Sequence, residues 1–223
     1  MSDAVPAIME YRGRKTRRAD GHARRQAILE AALRIIVRDG LRAVRHRAVA
    51  QEAQVPLAAT TYYFRDLNEL ISDAFTLFAE RTLAGARTLE KDTFAALDSS
   101  KSALSTPQGR EKMAHSLTDF VMQFLRSQLA DRDGRQVEQA FRQEALRNDK
   151  LASDVQVPDR AHLNTLERFF QALGAADAVA DAHLVLGSMA HWEFYLLLNG
   201  DSKDNWQLAE RGMRRLLNGL IKV

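Results

Sequence analysis

Basic and hydroxyl-bearing side chains dominate the first third of this chain, and they are of the kinds that bind phosphate. Between Tyr11 and Arg65 there are 13 Lys and Arg against 4 Asp and Glu, a net charge of +9, whereas the whole 223-residue chain carries +3. Arginine offers a charged fork of N–H donors to phosphate oxygens, and Thr and Tyr hydroxyls add neutral donors. The first third is therefore predicted to bind a polyanion, although a solvated basic face would have the same composition.

The most basic segment precedes any helical pattern. Residues 11–25 read YRGRKTRRADGHARR, with seven basic residues, one acidic residue and no apolar period. This composition predicts a disordered arm that follows phosphates or enters a minor groove. Its candidate DNA contacts are Arg12, Arg14, Lys15, Arg17 and Arg18. The alternative is a solubilising tail without a specific role.

Helical periodicity positions the remaining candidates on three short helices. Apolar residues recur at helical spacing over 28–36, which predicts a helix from near Arg24 to Gly40. A second helix is predicted over 45–53, and Pro56 then opens a third that runs to Phe64. Two short helices across a tight turn, the second with small outward side chains, are typical of an element that enters the DNA major groove.

Asp66 and Glu69 form a capping-box-like pair that predicts the start of a long helix, continuing to about residue 97. A loop over 98–109 follows, with further helices at 110–130, 135–150 and 158–173. No alternation of strand type appears. The fold class is therefore predicted to be all-α, with an N-terminal three-helix DNA-binding domain and a C-terminal helical domain.

The last two helices differ from the others. Residues 177–198 are apolar almost all round, and Asp204 is predicted to cap a final helix with an apolar stripe. Two adjacent helices of this kind suit a four-helix interface with a second copy of the chain. The alternative is that they pack only within one subunit.

Composition excludes several classes of function. The chain has no cysteine, and its apolar runs fall far short of the ~20 residues of a membrane span, so no membrane partner and a cytoplasmic location are expected. An all-α enzyme is the less favoured rival, with Glu144, His183, His191 and Glu193 as its candidate residues. Their spacing matches no metal pair or known catalytic motif, so we predict no catalytic residue, no metal and no cofactor.

The block from Arg24 to Leu70 resembles the TetR family of bacterial transcriptional repressors. The matching positions are Ala50, Glu52, Ala53 and Val55, then Thr61, Tyr62, Tyr63 and Phe64, and finally Glu69 and Leu70. The resemblance implies a helix-turn-helix domain followed by a helical domain that binds a small molecule and dimerises through its last two helices. It divides the chain into a flexible arm at 1–21, a DNA-binding domain at 22–66 and a sensing and dimerisation domain at 67–223.

The resemblance also implies which residues face a double-stranded DNA operator. They are Arg45, Arg47, Leu57, Ala58, Thr61 and Tyr62, with Tyr63 and Arg65 as further phosphate contacts. Four departures from the family pattern affect these expectations. Thr61 stands where a first tyrosine is usual and Tyr63 where histidine is usual, which predicts that the aromatic contact shifts by one residue. Gln54 stands where glycine is usual, which predicts a less tight turn, and Leu67 replaces a lysine, which leaves Arg65 as the nearest basic residue.

More narrowly, residues 43–64 and the preceding YRGRKTRR look like the DesT-like repressors, which respond to long-chain acyl-CoA and control fatty-acid desaturation genes. This resemblance implies an acyl-CoA effector bound beneath the long helix in an apolar cavity. The candidate lining residues are Phe78, Phe120, Phe124, Phe141, Glu144, Phe170, Met189 and Trp192. Each aromatic is equally explained as core, and a regulator of efflux genes with a drug-type ligand is the alternative function.

Overall fold

A computed structural model describes residues 9–14, 19–100 and 105–221, with the backbone alone over 84–100. The α-helices are α1 (Ala19–Asp39), α2 (His46–Glu52), α3 (Leu57–Tyr63), α4 (Leu67–Ser100), α5 (Pro107–Ala130), α6 (Arg132–Ala145), α7 (Asp149–Ala172), α8 (Ala178–Asn199) and α9 (Lys203–Ile221), with a 3₁₀ turn at Leu41–Ala43. No strand occurs within these residues. The all-α fold class is confirmed.

The chain forms two compact units. The first contains the residues up to Ala84 together with Asp133–Asp159, and the second contains Gly85–Arg132 and the residues from Arg160 onward. The unit boundaries fall within α4 and α7 and after the first residue of α6. The first unit thus holds the helix-turn-helix, the start of α4, most of α6 and the start of α7.

The core of the first unit joins the helix-turn-helix to α4 and α6. Ile28 and Ile35 of α1, Phe64 after α3 and Leu70 of α4 are all at most 1% exposed. The rings of Phe75 and Phe141 meet edge to face with centroids 4.9 Å apart. The core includes the following buried residues from five helices and from the residue after α3: Ile28, Leu29, Ile35, Val49, Phe64, Leu70, Phe75, Phe141 and Leu151.

The second unit has its own core, built from α5, α8, α9 and the end of α7. Leu125, Phe170, Val185, Met213 and Leu217 are almost completely buried there. Helices α8 and α9 approach closely, since a Cβ placed on Gly212 would lie 2.4 Å from the Trp192 ring. Helix α8 also leaves large apolar side chains exposed, among them Phe194 and Leu198.

Several predicted helix starts are wrong, and local capping explains the differences. Helix α5 begins at Pro107, not at residue 110, because proline suits the first helical position and the Thr106 side chain accepts a hydrogen bond from the Gly109 amide. Helix α9 is capped by Ser202, whose hydroxyl accepts from the Asn205 amide, instead of by Asp204.

The prediction that Pro158 opens a helix is also wrong. Helix α6 ends at Ala145, and α7 begins at Asp149 with Pro158 in its interior. The Asn148 side chain accepts a hydrogen bond from the Leu151 amide, and burial of Leu151 and Val155 stabilises the turns before the proline. Tertiary packing thus outweighs the loss of one backbone hydrogen bond at Pro158, which would otherwise favour the end of the helix.

Candidate nucleic-acid interface

One face of α3 is exposed and the other is buried. Leu57 and Tyr62 are 49% and 53% exposed, and Ala58 and Thr61 are also exposed. On the opposite face Thr60 is fully buried, and its hydroxyl donates to the Leu57 carbonyl. The side chains predicted to contact DNA on this helix therefore face solvent, with one exception.

Tyr63 is that exception. It is 6% exposed and belongs to the core of the first unit, where its ring meets Tyr62 edge to face at 5.1 Å. The assignment of its ring to a DNA contact is corrected accordingly. The reason is periodicity, because Tyr63 follows Thr60 by three residues and shares its inward face. Tyr62 is the exposed member of the pair.

The basic residues around α2 and α3 are exposed at both ends of this element. Arg45 and Arg47 lie at the start of α2, and Arg65 follows α3 with 83% of its side chain exposed. The Arg45 Nη1 atom donates to the Val44 carbonyl at 2.7 Å, which orients this guanidinium along the backbone. In the sequence, Arg45 and Arg47 precede α3 and Arg65 follows it. All three add positive charge to the helix-turn-helix.

The turn between α2 and α3 is tight. Gln54 has a φ of 55°, in the left-handed region that favours glycine. The Val55 amide donates to the Ala50 carbonyl and the Gln54 amide to the Gln51 carbonyl, which is the hydrogen-bond pattern of a Schellman motif. The expectation that Gln54 loosens the turn is therefore wrong. Gln54 adopts the glycine conformation at a cost of about 1 kcal/mol.

Ion pairs fix α2 on α1. The Glu52 carboxylate accepts from Arg34 Nε at 2.8 Å and from Arg38 Nη1 at 3.0 Å. These two hydrogen bonds lower the pKa of Glu52, and the bond from Arg34 makes the larger contribution. The capping pair at α4 is confirmed, since the Glu69 amide donates to Asp66 and the Glu69 carboxylate accepts from the Arg65 amide. The short helices are thus held at both ends by polar contacts.

The described part of the basic arm is ordered, contrary to prediction. Residues 11–14, which we call the strap, lie against the first unit. Arg12 donates to Ser72 through Nη1 at 3.0 Å and forms an ion pair with Asp154 at 2.8 Å. Arg12 is therefore engaged within the protein, with 37% of its side chain exposed, and its contact with DNA stays a prediction. Lys15, Arg17 and Arg18 lie outside the described residues.

Sequence reasoning missed the residue that anchors the strap. The fully buried Asp73 carboxylate accepts from the Arg12 and Gly13 amides at 2.7 and 2.9 Å and from Arg25 Nη2 at 2.5 Å. The available signal was an acidic residue next to the apolar stripe of α4, between Leu70 and Ala74. A carboxylate there needs donors from elsewhere in the fold.

Arg14 is the strap residue that contacts α3. Its guanidinium lies 4.2 Å from the centroid of the Tyr62 ring, and its amide donates to the Tyr63 carbonyl at 2.9 Å. The side chain is exposed and forms no ion pair among the described residues. The structure therefore brings two of the predicted DNA contacts, Arg14 and Tyr62, together.

Comparison with solved structures places this geometry in a known fold, although no protein-family model and no curated protein sequence matches the chain. SCO1917, a TetR-family member from Streptomyces coelicolor, is 25% identical over 86% of this chain and 97% of its own, with a TM-score of 0.52. A transcriptional regulator from Rhodococcus sp. Rha1 is 18% identical over 89% and 98%, with a TM-score of 0.60. The chain has the TetR fold.

A further structure with this fold contains a bound drug-like molecule. The multidrug binding protein EbrR, solved in complex with ethidium, is 25% identical over 86% of this chain and 98% of its own, with a TM-score of 0.53. The TetR fold thus relates this chain both to named transcriptional regulators and to a protein that binds small molecules.

The predicted effector-binding residues fall in both units. Phe78, Phe141 and Glu144 belong to the first unit, and the two phenylalanines are part of its core. The second unit holds the other five: Phe120, Phe124, Phe170, Met189 and Trp192. Phe170 is fully buried, and the Phe124 ring meets His162 at 6.4 Å. The predicted set is therefore divided between two units.

The candidate residues of the enzyme alternative also fall in both units. Glu144 lies in the first unit, whereas His183, His191 and Glu193 follow one another along α8 in the second. The His191 ring packs edge to face on Trp192. Among the side chains described, those of residues 9–14, 19–83 and 105–221, no three acidic or histidine residues are grouped as metal ligands. The helices of the same residues include none that is long and apolar enough to span a bilayer.

Proposed function

We propose that this protein is a homodimeric, ligand-responsive transcriptional repressor that binds a palindromic operator. The observation that carries the proposal is the exposed face of α3, formed by Leu57, Ala58, Thr61 and Tyr62 on a fixed helix-turn-helix. The likeness to named TetR-type regulators supports it. Such a regulator acts where the DNA is, in the cytoplasm of a bacterium.

The side chains of α3 define how the operator would be read. Leu57 and Ala58 carry no hydrogen-bond donors, so they would contact thymine methyl groups in the major groove. Thr61 can donate to a base edge after its hydroxyl leaves the Ala58 carbonyl, to which it now donates at 3.2 Å. Arg45, Arg47 and Arg65 would bind phosphates and set the register on the duplex.

The exposed apolar side chains of the last two helices support the dimer. Val179, Leu184, Phe194 and Leu198 on α8 and Leu208 on α9 are 39% to 72% exposed. An apolar patch of this kind marks an interface in a globular protein. A two-fold dimer that binds a palindromic operator places its two α3 helices in half-sites about 34 Å apart, one turn of DNA.

Long-chain acyl-CoA is the effector we propose, on the resemblance of residues 43–64 to the DesT-like repressors. A drug-type ligand, with control of efflux genes, is the second candidate, and the likeness to EbrR with bound ethidium favours it. In either case the effector must bind the operator-competent and released states with different affinities, since equal affinity shifts no population.

The test begins by selecting an operator from a pool of random duplexes with the purified protein. Fluorescence anisotropy then measures affinity for the selected duplex and for a scrambled duplex of the same composition. A repressor is expected to prefer the selected site by at least about 1,000-fold. Equal affinity for both duplexes would contradict sequence-specific regulation.

The effector is tested on the same complex with three additions: a saturated long-chain acyl-CoA, an unsaturated one and ethidium. Coenzyme A alone serves as the control for the polar head. A shift in operator affinity with either acyl-CoA, absent with coenzyme A, supports the acyl-CoA assignment. A response to ethidium alone supports the drug-type assignment, and no response to any of the three contradicts both.

A further inference from the structure

We propose that Asp73 is a positioning residue for DNA recognition: it seats the strap so that Arg14 is fixed beside Tyr62 as a preformed phosphate-binding pair. The inference rests on the proposed function and adds to it, because it makes residues 11–14 part of the surface that binds DNA. The segment would act as a rigid element, in contrast to the flexible arm that its composition predicts.

The buried carboxylate of Asp73 is matched to the backbone of the strap. Its Oδ1 accepts from the Arg12 amide and its Oδ2 from the Gly13 amide, at 2.7 and 2.9 Å. Arg25 Nη2 also donates to Oδ2, at 2.5 Å. With Asp73 fully buried, each donor offsets desolvation of the carboxylate, so removal of the strap would leave two acceptor positions unpaired.

Gly13 allows this close approach. A Cβ at this position would lie 2.8 Å from Asp73 Oδ2 and 2.8 Å from Phe64 Cε1, closer than nonbonded atoms allow. Phe64 is fully buried and has no room to move. A side chain on residue 13 would therefore displace the strap and leave the Asp73–Arg25 ion pair in place.

Contacts on either side of Gly13 fix the direction of the strap. The Tyr11 hydroxyl donates to Glu80 at 2.6 Å, and the Arg25 guanidinium lies 4.3 Å from the Tyr11 ring centroid. Arg12 joins Ser72 of α4 to Asp154 of α7. All of these partners belong to the first unit. The strap is thus held by backbone and side-chain contacts before it reaches Arg14.

The result of this seating is the placement of Arg14. Its amide bonds to the Tyr63 carbonyl at the end of α3, and its guanidinium packs on the exposed Tyr62 ring. The ring orients the guanidinium through a cation–π contact, and the guanidinium keeps five N–H donors of the kind that bind phosphate oxygens. A positively charged group held in this way pays little ordering entropy when it binds a phosphate.

A mutant cycle on the full-length protein tests the inference with the selected operator. Arg14→Ala should weaken binding by about tenfold and reduce the slope of log affinity against log salt by about one. In the Gly13→Ala background the same change should weaken binding less than about twofold, because Arg14 is no longer positioned. Arg147 is exposed just after α6 and has no side-chain partner among the described residues, so Arg147→Ala is the charge control and should change neither quantity.

Two results would overturn the inference while the proposed function stands. One is an equal loss of operator affinity from Arg14→Ala in both backgrounds, which means that Arg14 acts without the contacts between Asp73 and the strap. The other is no loss in the wild-type background. If the wild-type protein binds no selected duplex, the proposed function itself fails.

Hydrogen exchange of the Arg12 and Gly13 amides then tests the contacts between Asp73 and the strap without DNA. Both amides should be protected in the wild-type protein and should exchange fast in Gly13→Ala. Fast exchange in both proteins would contradict the inference.

Discussion

Arg25 and Asp73 form an ion pair at 2.5 Å in which the arginine side chain is 13% exposed and the carboxylate is fully buried. The pair joins α1 to α4, and the Arg25 guanidinium also lies over the rings of Tyr11 and Phe64. It therefore links the first helix, the long helix and the strap. Asp73 depends on Arg25 for its only charged donor among the described residues.

Replacement of Arg25 with Ala should lower the free energy of unfolding by roughly 3–5 kcal/mol, because the buried Asp73 charge loses its partner. Urea denaturation followed by circular dichroism measures this. Arg24→Ala removes an exposed neighbour and should change stability by less than about 0.5 kcal/mol. Equal effects of the two substitutions would show that Asp73 does not depend on the ion pair.

Tyr62 and Tyr63 should respond in opposite ways to substitution. Tyr62→Ala removes an exposed ring and should weaken operator binding by at least about tenfold, with the unfolding free energy changed by less than about 1 kcal/mol. Tyr63→Ala removes a buried ring and should cost roughly 3–5 kcal/mol of stability. Anisotropy and urea denaturation on both variants give the comparison. A larger loss of stability from Tyr62→Ala would contradict the placement of these rings.

Gln54 provides a test of backbone strain. Gln54→Gly should stabilise the protein by up to about 1 kcal/mol, because glycine adopts the left-handed conformation without steric cost. The greater backbone entropy of glycine in the unfolded state reduces this gain. Gln51→Gly is the matched control, because Gln51 is exposed on α2 in a helical conformation and should lose about 1 kcal/mol. Destabilisation of both variants would show that residue 54 is not strained. Differential scanning calorimetry resolves the sign.

Features of this fold that depend on residues close together in the sequence could be predicted, and those that depend on distant residues could not. The helix-turn-helix was predicted because its signals are local: Asp66 and Glu69 cap α4 from within four residues, and the apolar spacing marks each buried face. The inward orientation of Tyr63 also follows from spacing to Thr60. A resemblance that aligned both tyrosines with DNA contacts obscured it.

The strap was not predictable because its order arises from a distant partner. The sequence YRGRK has the composition of a disordered arm, and the acceptor that orders it, Asp73, lies 60 residues away from Gly13. Pro158 presents the converse case, in which a strong local breaker is overruled by packing of Leu151 and Val155 in the core. Local rules thus predict elements well and their tertiary anchors poorly.

The contact of Glu52 with two arginines predicts a pH dependence. The pKa of Glu52 lies below its ordinary value of 4.5, through hydrogen bonds first from Arg34 and then from Arg38. A depressed folded-state pKa contributes stability that is present above pH 4.5 and is lost as the pH falls through the folded-state value. Glu52→Gln should therefore flatten the decrease in Tm between pH 4.5 and lower values, which thermal unfolding at a series of pH values measures. Identical profiles for Glu52→Gln and wild type would contradict this origin.

The apolar patch on α8 predicts how the protein assembles. Phe194 is 54% exposed in the single chain, and a two-fold interface over α8 would bury it twice. Phe194→Glu would then place two unpaired charges in that interface, which should raise the dimer dissociation constant by more than about 100-fold. Leu146, 80% exposed in the first unit, supplies the control Leu146→Glu, which should keep the wild-type assembly. Analytical ultracentrifugation distinguishes the species. A wild-type monomer, or a dimer unaffected by Phe194→Glu, would place the interface elsewhere, and loss of operator binding by the monomeric variant would connect the patch to DNA recognition.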